Sequence, residues 1–131
     1  MTYLKYEEAT KSLKEVSPFE SETTLEFMYR TLECTLVNIG CNFEGIDIWV
    51  DDEALNTGNY EFINTIRFTE DEREEVILVG DMLFASSDNE GNTIPLNEHQ
   101  KKYIENSVEI ESISGSEYLS RMNDNQYNDG I

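Results

Sequence analysis

Carboxylates carry most of the chemistry that this sequence can offer, and they gather in two stretches. These are EGIDIWVDDE (residues 44–53) and TEDEREE (residues 69–75). Carboxylates accept hydrogen bonds from arginine and lysine, often as bidentate pairs with arginine. They also coordinate hard cations and form the acid–base pairs of hydrolases. The two stretches therefore allow three kinds of function, which are binding a basic partner, holding a metal ion and carboxylate catalysis.

The chain's only tryptophan lies within the first stretch. Side chains alternate between the two faces of a strand. This alternation predicts one face made of Ile46, Ile48 and Val50, and a second made of Asp47, Trp49 and Asp51. Trp49 then has two interpretations: a residue of a second core if the sheet is covered on both faces, or the apolar anchor of an open acidic surface. The apolar Ile63, on the minor face of the next predicted strand, slightly favours the covered sheet.

Sequence patterns specific for metal binding or catalysis are weak. Residues 88–93, DNEGNT, resemble the start of a calcium-binding loop, but Thr93 stands where an EF-hand needs glycine. We interpret this segment as a β-turn with Gly91 in the left-handed conformation. His99 is the only histidine, and no nucleophile motif accompanies it. Hydrolytic carboxylate pairs stay open, since their geometry is not visible in a sequence. We predict no catalytic residue, no metal site, no cofactor and no enzymatic activity.

Charge is the outstanding property of the composition. The 131 residues include 28 Asp and Glu against 9 Lys and Arg, which gives a net charge of −19 at pH 7. A surplus of this size repels nucleic acid and anionic lipid. It favours fast, salt-sensitive encounter with a basic surface. We therefore expect a basic protein as the partner, with no direct contact to nucleic acid or to a membrane.

The cysteines and the apolar segments bear on the cellular compartment. If Cys34 and Cys41 lay on one helix, they would be two turns or about 10.5 Å apart, which is too far for a disulfide. Two reduced thiols indicate a cytoplasmic protein. No apolar run approaches the roughly 18 residues that span a bilayer, and the acidic amino terminus lacks the apolar region of a signal peptide.

The periodicity of apolar residues predicts the order of elements. We expect, in chain order, a helix over residues 3–16, a helix from caps at 21–24 to Ile39 and ending at Gly40, strands over Ile46–Val50 and Tyr60–Phe68, one bent strand or two strands over Val76–Ala85, a helix over 97–105 with an Asn97–Gln100 capping box, and a strand over 108–113. This order predicts a single α+β domain over residues 1–113, with a small, mainly antiparallel sheet packed by two or three helices. Residues 114–131 are predicted to form a polar, flexible tail, with room for one helical turn around residues 118–122.

The two acidic stretches are the predicted contact surface. Side chains two positions apart on a strand face lie about 6.6 Å apart, and duplex DNA carries one negative charge per roughly 1.7 Å of axis. A row of carboxylates extended by acidic loops can therefore enter the cationic groove that a nucleic-acid-binding protein keeps for phosphate. The predicted partner-binding residues are nine acids of these stretches and the tryptophan: Asp47, Trp49, Asp51, Asp52, Glu53, Glu70, Asp71, Glu72, Glu74 and Glu75.

Short length, strong acidity, the lack of an enzyme motif and the α+β order together resemble the anti-defence proteins of phages and plasmids. That group of mobile-element proteins includes DNA-mimic anti-restriction proteins and anti-CRISPR proteins. The resemblance is one of composition over the whole chain and carries over no family residue. It implies an inhibitor in the cytoplasm of a bacterial host cell, which blocks the nucleic-acid site of a defence nuclease by steric and electrostatic competition.

Three alternatives stay open beside this interpretation. An immunity protein that neutralises a basic nuclease toxin would rest on the same electrostatics. A small carboxylate-dependent enzyme and an acidic domain without a strong partner belong to other classes. A homodimer is a further open point, with the apolar segment Val76–Ala85 as its interface.

Overall fold

Two antiparallel sheets and three helices make up the part of the chain that the computed structural model describes, which is residues 2–53, 62–69 and 75–121. The elements in chain order are β1 (Tyr3–Glu7), β2 (Ser12–Val16), α1 (Thr24–Leu32), β3 (Val37–Phe43), β4 (Ile46–Asp51), β5 (Phe62–Phe68), β6 (Val76–Leu78), β7 (Met82–Ser87), β8 (Thr93–Ile94), α2 (Glu98–Ser107), β9 (Val108–Ser114) and a helix over residues 115–121. The predicted α+β class with mainly antiparallel pairing is confirmed.

The larger sheet is built around β7. Its strand order is β2-β1-β7-β4-β3, and β8 pairs with the end of β7 as a sixth strand. Four consecutive residues of β7, Met82 to Ala85, are each 0 % exposed. Met82–Ala85 is the second part of the segment considered above as a dimer interface. Because this strand is covered on both faces, these four residues have no exposed side chain to offer a second copy.

The smaller sheet has the order β6-β5-β9, and β5 pairs with β9 along its full length. Gly80, with a φ of +83°, stands between β6 and β7. Only residues without a Cβ adopt this backbone conformation readily. The chain therefore leaves the smaller sheet and enters the larger one at this point, and of the two structures predicted for Val76–Ala85, the pair of strands is the one observed.

Two apolar clusters cover the two faces of the larger sheet. The first joins this sheet to the smaller sheet and to α2, and its buried members are Leu4, Tyr6, Phe43, Ile46, Ile48, Ile66, Phe68, Leu78, Met82, Phe84, Leu96 and Ile104. The second lies under α1 and consists of Tyr3, Phe27, Met28, Leu32, Leu83 and Ala85. A sheet covered in this way buries both alternating faces of its strands, as the second-core interpretation of Trp49 requires.

The amino-terminal segment forms a hairpin, so the helix predicted over residues 3–16 is wrong. β1 pairs with β2 from Tyr3↔Val16 to Glu7↔Ser12 and with β7 on its other side. Leu4 and Tyr6 belong to the first cluster and Tyr3 to the second. Because a strand covered on both faces loses the simple polar–apolar alternation, its apolar residues can match a helical period as well.

Helix α1 begins as predicted and ends earlier. Thr23 caps it through a capping box with Glu26, which satisfies two of the free N–H groups of the first turn. The helix ends at Leu32, and Glu33 takes the left-handed conformation with a φ of +50°. The predicted continuation to Ile39 is wrong, because residues 37–43 pair with β4 instead. Val37 and Ile39 are β-branched, which favours a strand over a helix.

The carboxyl-terminal elements largely follow the prediction. Asn97 and Gln100 form the predicted capping box at the start of α2, and Ile104 is fully buried. β9 is the predicted last strand. Residues 115–121, in the predicted tail, are helical, and Arg121 reaches back to Glu111 of β9 at 3.0 Å. Residues 122–131 lie outside the described part of the chain.

A buried chain of hydrogen bonds joins the two sheets. The Ser112 hydroxyl donates to Asn64 Oδ1 at 2.7 Å, so the Tyr6 hydroxyl, 2.7 Å from Ser112 Oγ, must be the donor there. Asn64 Nδ2 donates in turn to the Gly80 carbonyl at 2.6 Å. Asn64 is 0 % exposed. The chain of bonds therefore links β1, β9, β5 and the β6–β7 connection through part-buried groups.

We expect Asn64→Ala to lower the free energy of unfolding by about 1–3 kcal/mol, since it removes a fully buried side chain that accepts from Ser112 and donates to the Gly80 carbonyl. Urea denaturation followed by circular dichroism measures this. Asn89→Ala is the matched control, because Asn89 is exposed in the turn after β7, and surface changes of this kind stay within about 0.5 kcal/mol. Equal effects of the two substitutions would contradict the role given to Asn64.

The segment before α1 is held by one arginine. Arg30 donates to both carboxylate oxygens of Glu22, from Nε at 2.7 Å and from Nη2 at 2.9 Å. Its guanidinium also lies over the Phe19 ring, 3.8 Å from the ring centroid. The hydrogen bond from Arg30 is the main cause that lowers the pKa of Glu22 from its ordinary value of 4.5.

The lowered pKa of Glu22 fixes the sign of a pH effect. A carboxylate whose folded pKa is depressed contributes stability above its unfolded pKa and loses that contribution as the pH falls through the folded pKa. Glu22→Gln should therefore melt at a lower temperature than the wild type at pH 7. The difference should shrink as the pH falls below 4.5, as measured by thermal melts. Glu20→Gln, an exposed carboxylate in the same segment, is the control, and a difference that stays constant with pH would contradict the pairing.

Candidate partner-binding site

Asp47 is buried, so the prediction that it belongs to an exposed contact surface is wrong. Only 6 % of the residue is exposed. It lies in β4 opposite Ala85 of β7, and the side-chain amide of Asn42 donates to its carboxylate at 2.5 Å. The alternation along β4 was predicted correctly, but the face that carries Asp47 is covered by α1 and its cluster rather than by water.

Trp49 lies on the same covered face. It is half-buried and packs against the cluster under α1, as the second-core interpretation predicted. Its indole Nε1 is buried and donates to no acceptor among the described residues. One side of the residue lines an open cavity of about 310 Å³ together with Leu25 and Met28 of α1. A role of Trp49 as an anchor for a partner stays a prediction.

The last three acids of the first stretch form a turn at the end of β4, which we call the acidic turn (Asp51, Asp52 and Glu53). The Glu53 N–H donates to Asp51 Oδ1 at 2.9 Å, and the Asp52 N–H donates to the Leu36 carbonyl at 3.0 Å. Asp52 and Glu53 are exposed and Asp51 is half-buried. The turn is thus anchored by its backbone, while its outer carboxylates face the solvent.

The second acidic stretch is described only at its end. Glu70, Asp71, Glu72 and Glu74 lie outside the described residues. Glu75 is exposed and directly precedes β6. Whether these acids extend the surface of the acidic turn therefore stays a prediction.

The electric field of the acidic turn acts on a nearby thiol. Burial is the main cause that raises the pKa of Cys34, and the negative charges of Asp51 and Glu53 raise it further. Cys34 is a free, half-buried cysteine that follows α1, while Cys41 lies in β3. Because the two cysteines lie on different elements, the distance derived for a shared helix does not apply to them. The Cys34 thiol is kept protonated, which makes it a poor nucleophile.

Two apolar residues beside the acidic turn were missed by the sequence analysis. Leu36 is 47 % exposed and Ile39 is 42 % exposed. Both lie within the longer helix that the sequence predicted. The end of the helix at Leu32 turns them toward solvent instead. Next to them lies a groove of about 180 Å³, lined by Asn38, Ile39, Gly40, Val50, Asp51, Asp52, Leu78 and Val79. Val37 and Ile39 are β-branched and lie two positions apart. This pattern favours a strand and was the sequence signal that could have indicated β3.

Most of the cations are already paired with acids. Six lysines and arginines lie within ion-pair distance of carboxylates, and these are Lys5, Lys14, Arg30, Arg67, Lys101 and Arg121. The acidic turn makes no ion pair of this kind within the described part of the chain. The carboxylates of the acidic turn therefore carry their negative charge without a paired cation from the described residues.

The residues considered for metal and hydrolytic chemistry can now be placed in the structure. Among the described residues, no group of three or more acids, histidines or cysteines is placed to hold a metal ion. Asp88 instead accepts the N–H groups of Glu90 and Asn92 at 2.9 and 2.8 Å, and Gly91 has a φ of +85°, as the β-turn interpretation predicted. His99 is exposed in the first turn of α2. No helix in the described ranges is long and apolar enough to cross a membrane.

Charge reversal should separate the buried acid from the exposed one. Asp47→Lys places an unpaired charge inside the cluster under α1, and we expect it to cost about 3–5 kcal/mol of stability. Asp52→Lys, with the same change of charge on the acidic turn, should stay within about 0.5 kcal/mol of the wild type. Denaturant titration of both variants measures this. A stable Asp47→Lys protein would mean that Asp47 faces the solvent.

One comparison with known proteins gives a match. A family model described as "Domain of unknown function (DUF3846)" matches residues 1–109. The match begins at β1 and ends within β9, so it includes strands of both sheets, α1, α2 and the acidic turn. Comparison with curated proteins and with solved structures gave no match.

Proposed function

The chain belongs to the DUF3846 family, and we propose that this member is an acidic inhibitor of a basic, nucleic-acid-binding protein. The proposed partner is a bacterial defence nuclease, of the restriction or CRISPR effector class. The protein would occupy the cationic site that the nuclease keeps for phosphates, and nucleic acid would be excluded by competition. The mechanism needs no catalysis by the inhibitor.

The observation that carries this proposal is the uncompensated charge of the surface. The chain has a net charge of −19. Its lysines and arginines are largely held in ion pairs, while Asp52 and Glu53 stand exposed on a turn whose backbone is fixed to Leu36 and Asp51. A fixed turn presents its carboxylates with little loss of conformational freedom on binding.

The chemistry of the competition follows from the ligands that arginine and lysine accept. A carboxylate takes the same charge-assisted hydrogen bonds from a guanidinium as a phosphate does. The exposed Leu36 and Ile39 beside the turn add an apolar contact that a phosphate backbone lacks. Long-range attraction between the acidic domain and a basic groove would raise the rate of encounter at low salt.

Capture followed by competition tests this proposal. The immobilised protein is exposed to a bacterial lysate at about 0.1 M and about 1 M salt, where the screening length falls from about 10 Å to about 3 Å. Nucleic-acid-binding proteins retained only at low salt are then purified. We expect added protein to displace labelled DNA or RNA from such a partner, as measured by fluorescence anisotropy. Retention of no basic nucleic-acid-binding protein, or of one that still binds nucleic acid at saturation, would overturn the proposal.

The position of the charge is tested with two variants of equal net charge. Asp51→Asn/Asp52→Asn/Glu53→Gln removes the acidic turn, whereas Glu20→Gln/Glu90→Gln/Glu105→Gln removes three exposed acids on other elements. We expect the first variant to lose about tenfold or more in affinity for the captured partner, and the second to lose much less. Equal losses would mean that overall charge, and not the acidic turn, governs the interaction.

A further inference from the structure

We propose that the open cavity between the start of α1 and the turn that joins β7 to β8 holds an aromatic side chain of the basic partner, flanked by arginine or lysine in the same segment. We call it the α1 cavity. Its volume is about 310 Å³, and it is lined by Thr24, Leu25, Met28, Trp49 and residues 91–93. This inference rests on the proposed function and names an anchor by which the inhibitor holds its partner.

Packing inside the protein does not by itself account for a tryptophan at position 49. Trp49 is half-buried: it packs against the cluster under α1 and also lines the cavity. Its Nε1 is buried and has no hydrogen-bond acceptor among the described residues, whereas a buried indole N–H usually has one. A smaller apolar side chain would carry no such unpaired donor. The part of the ring that lines the cavity is therefore available to another molecule.

Local hydrogen bonds fix both walls of the α1 cavity. In the turn, the Asp88 carboxylate accepts the N–H groups of Glu90 and Asn92 at 2.9 and 2.8 Å, and it also accepts from the side-chain amide of Asn92 at 3.1 Å. On the other side, the capping box of Thr23 and Glu26 fixes the first turn of α1, with both of its bonds at 3.1 Å. A cavity with fixed walls loses little conformational freedom when a side chain enters it.

The lining favours an aromatic occupant. Leu25, Met28 and Trp49 supply apolar surface, and thioether and indole groups both pack well against aromatic rings. Leu25 is 49 % exposed, so a partner can reach its side chain from the solvent. Aromatic residues are also enriched among the few side chains that contribute most to protein interfaces.

The charges around the α1 cavity decide between its possible occupants. Glu26 on α1 and Asp88 and Glu90 in the turn are exposed. Neither residues 24–28 nor residues 88–93 include a lysine or an arginine. A second copy of the chain would bring a net charge of −19 against the first, and a nucleic acid would bring its phosphates into the same field. A basic segment instead gains attraction from these carboxylates.

Tryptophan fluorescence of the full chain tests this inference, because Trp49 is the only tryptophan. The probe is a capped peptide with one phenylalanine between two pairs of arginines. The controls are the same peptide with alanine for phenylalanine, the same peptide with glutamate for arginine, and a single-stranded oligothymidine. We expect only the probe to change the emission of Trp49 in a saturable way, with NMR shift changes centred on residues 24–28, Trp49 and residues 91–93.

Several outcomes of this titration would overturn the inference. These are no saturable response to the probe, an equal response to the alanine peptide or to the oligothymidine, and NMR shift changes centred elsewhere. A change of Trp49 emission with protein concentration alone would show that a second copy occupies the cavity, and it would overturn the inference as well.

Two pairs of matched variants locate the site. Leu25→Lys, in the lining, should weaken binding of the probe about tenfold, while Leu119→Lys, at an exposed leucine of the helix over residues 115–121, should not. Glu90→Gln should weaken binding more than Glu105→Gln, which makes the same change of charge on α2. All four positions are exposed in the wild type, and circular dichroism checks that each variant is folded. Equal losses within either pair would contradict the proposed position.

The same variants separate this inference from the proposed function. If Leu25→Lys still inhibits the captured partner as the wild type does, the inference fails while the inhibitor function stands. If the wild type binds the probe in the α1 cavity but inhibits no nucleic-acid-binding protein, the inhibitor function fails while the cavity site stands.

Discussion

The buried hydrogen bonds among Tyr6, Ser112, Asn64 and Gly80 set the position of one sheet on the other, and the acidic surface depends on that position. Each donor and acceptor in these part-buried bonds needs its partner in a defined direction, which favours one arrangement of the two sheets. The Gly80 carbonyl ends this chain of bonds and connects it to β6. Leu78 of β6 then forms a wall of the groove beside β3. The groove is therefore lined by residues of both sheets.

The cations of this protein tie distant segments together and leave the acids facing outward. Lys101, with only 9 % of its side chain exposed, reaches Glu15 of β2 from α2, and Arg67 reaches Glu109 across two strands. Exposed pairs of the latter kind contribute little to stability. Their larger effect is on the surface potential, because the acids that pair with these cations lie outside the acidic turn. The paired cations therefore do not reduce the negative electrostatic potential of the acidic turn.

The sequence was sufficient for elements whose signals are local. The capping box at Asn97 and the turn at Gly91 depend on neighbouring residues alone, and both were predicted. Residues 3–16 and 33–39 were mistaken for helix because strand pairing with β7 and β4, which local periodicity does not show, decided their structure. The same limit affected the site. Asp47 and Asp51 share a predicted face, but only the position of α1 shows that Asp47 is buried and the turn is not.

The place of β7 in the larger sheet has a consequence for folding in time. β7 begins at Met82 and pairs with β1, β4 and β8, so the sheet has no centre until most of the chain has been made. During synthesis, the β1–β2 hairpin, α1 and the β3–β4 hairpin must wait with their apolar faces uncovered. Pairings between residues so far apart along the chain form slowly, and uncovered strands attract other chains in the meantime. The negative charge of the nascent segment repels such neighbours. The acidic composition therefore also opposes aggregation before the fold is complete.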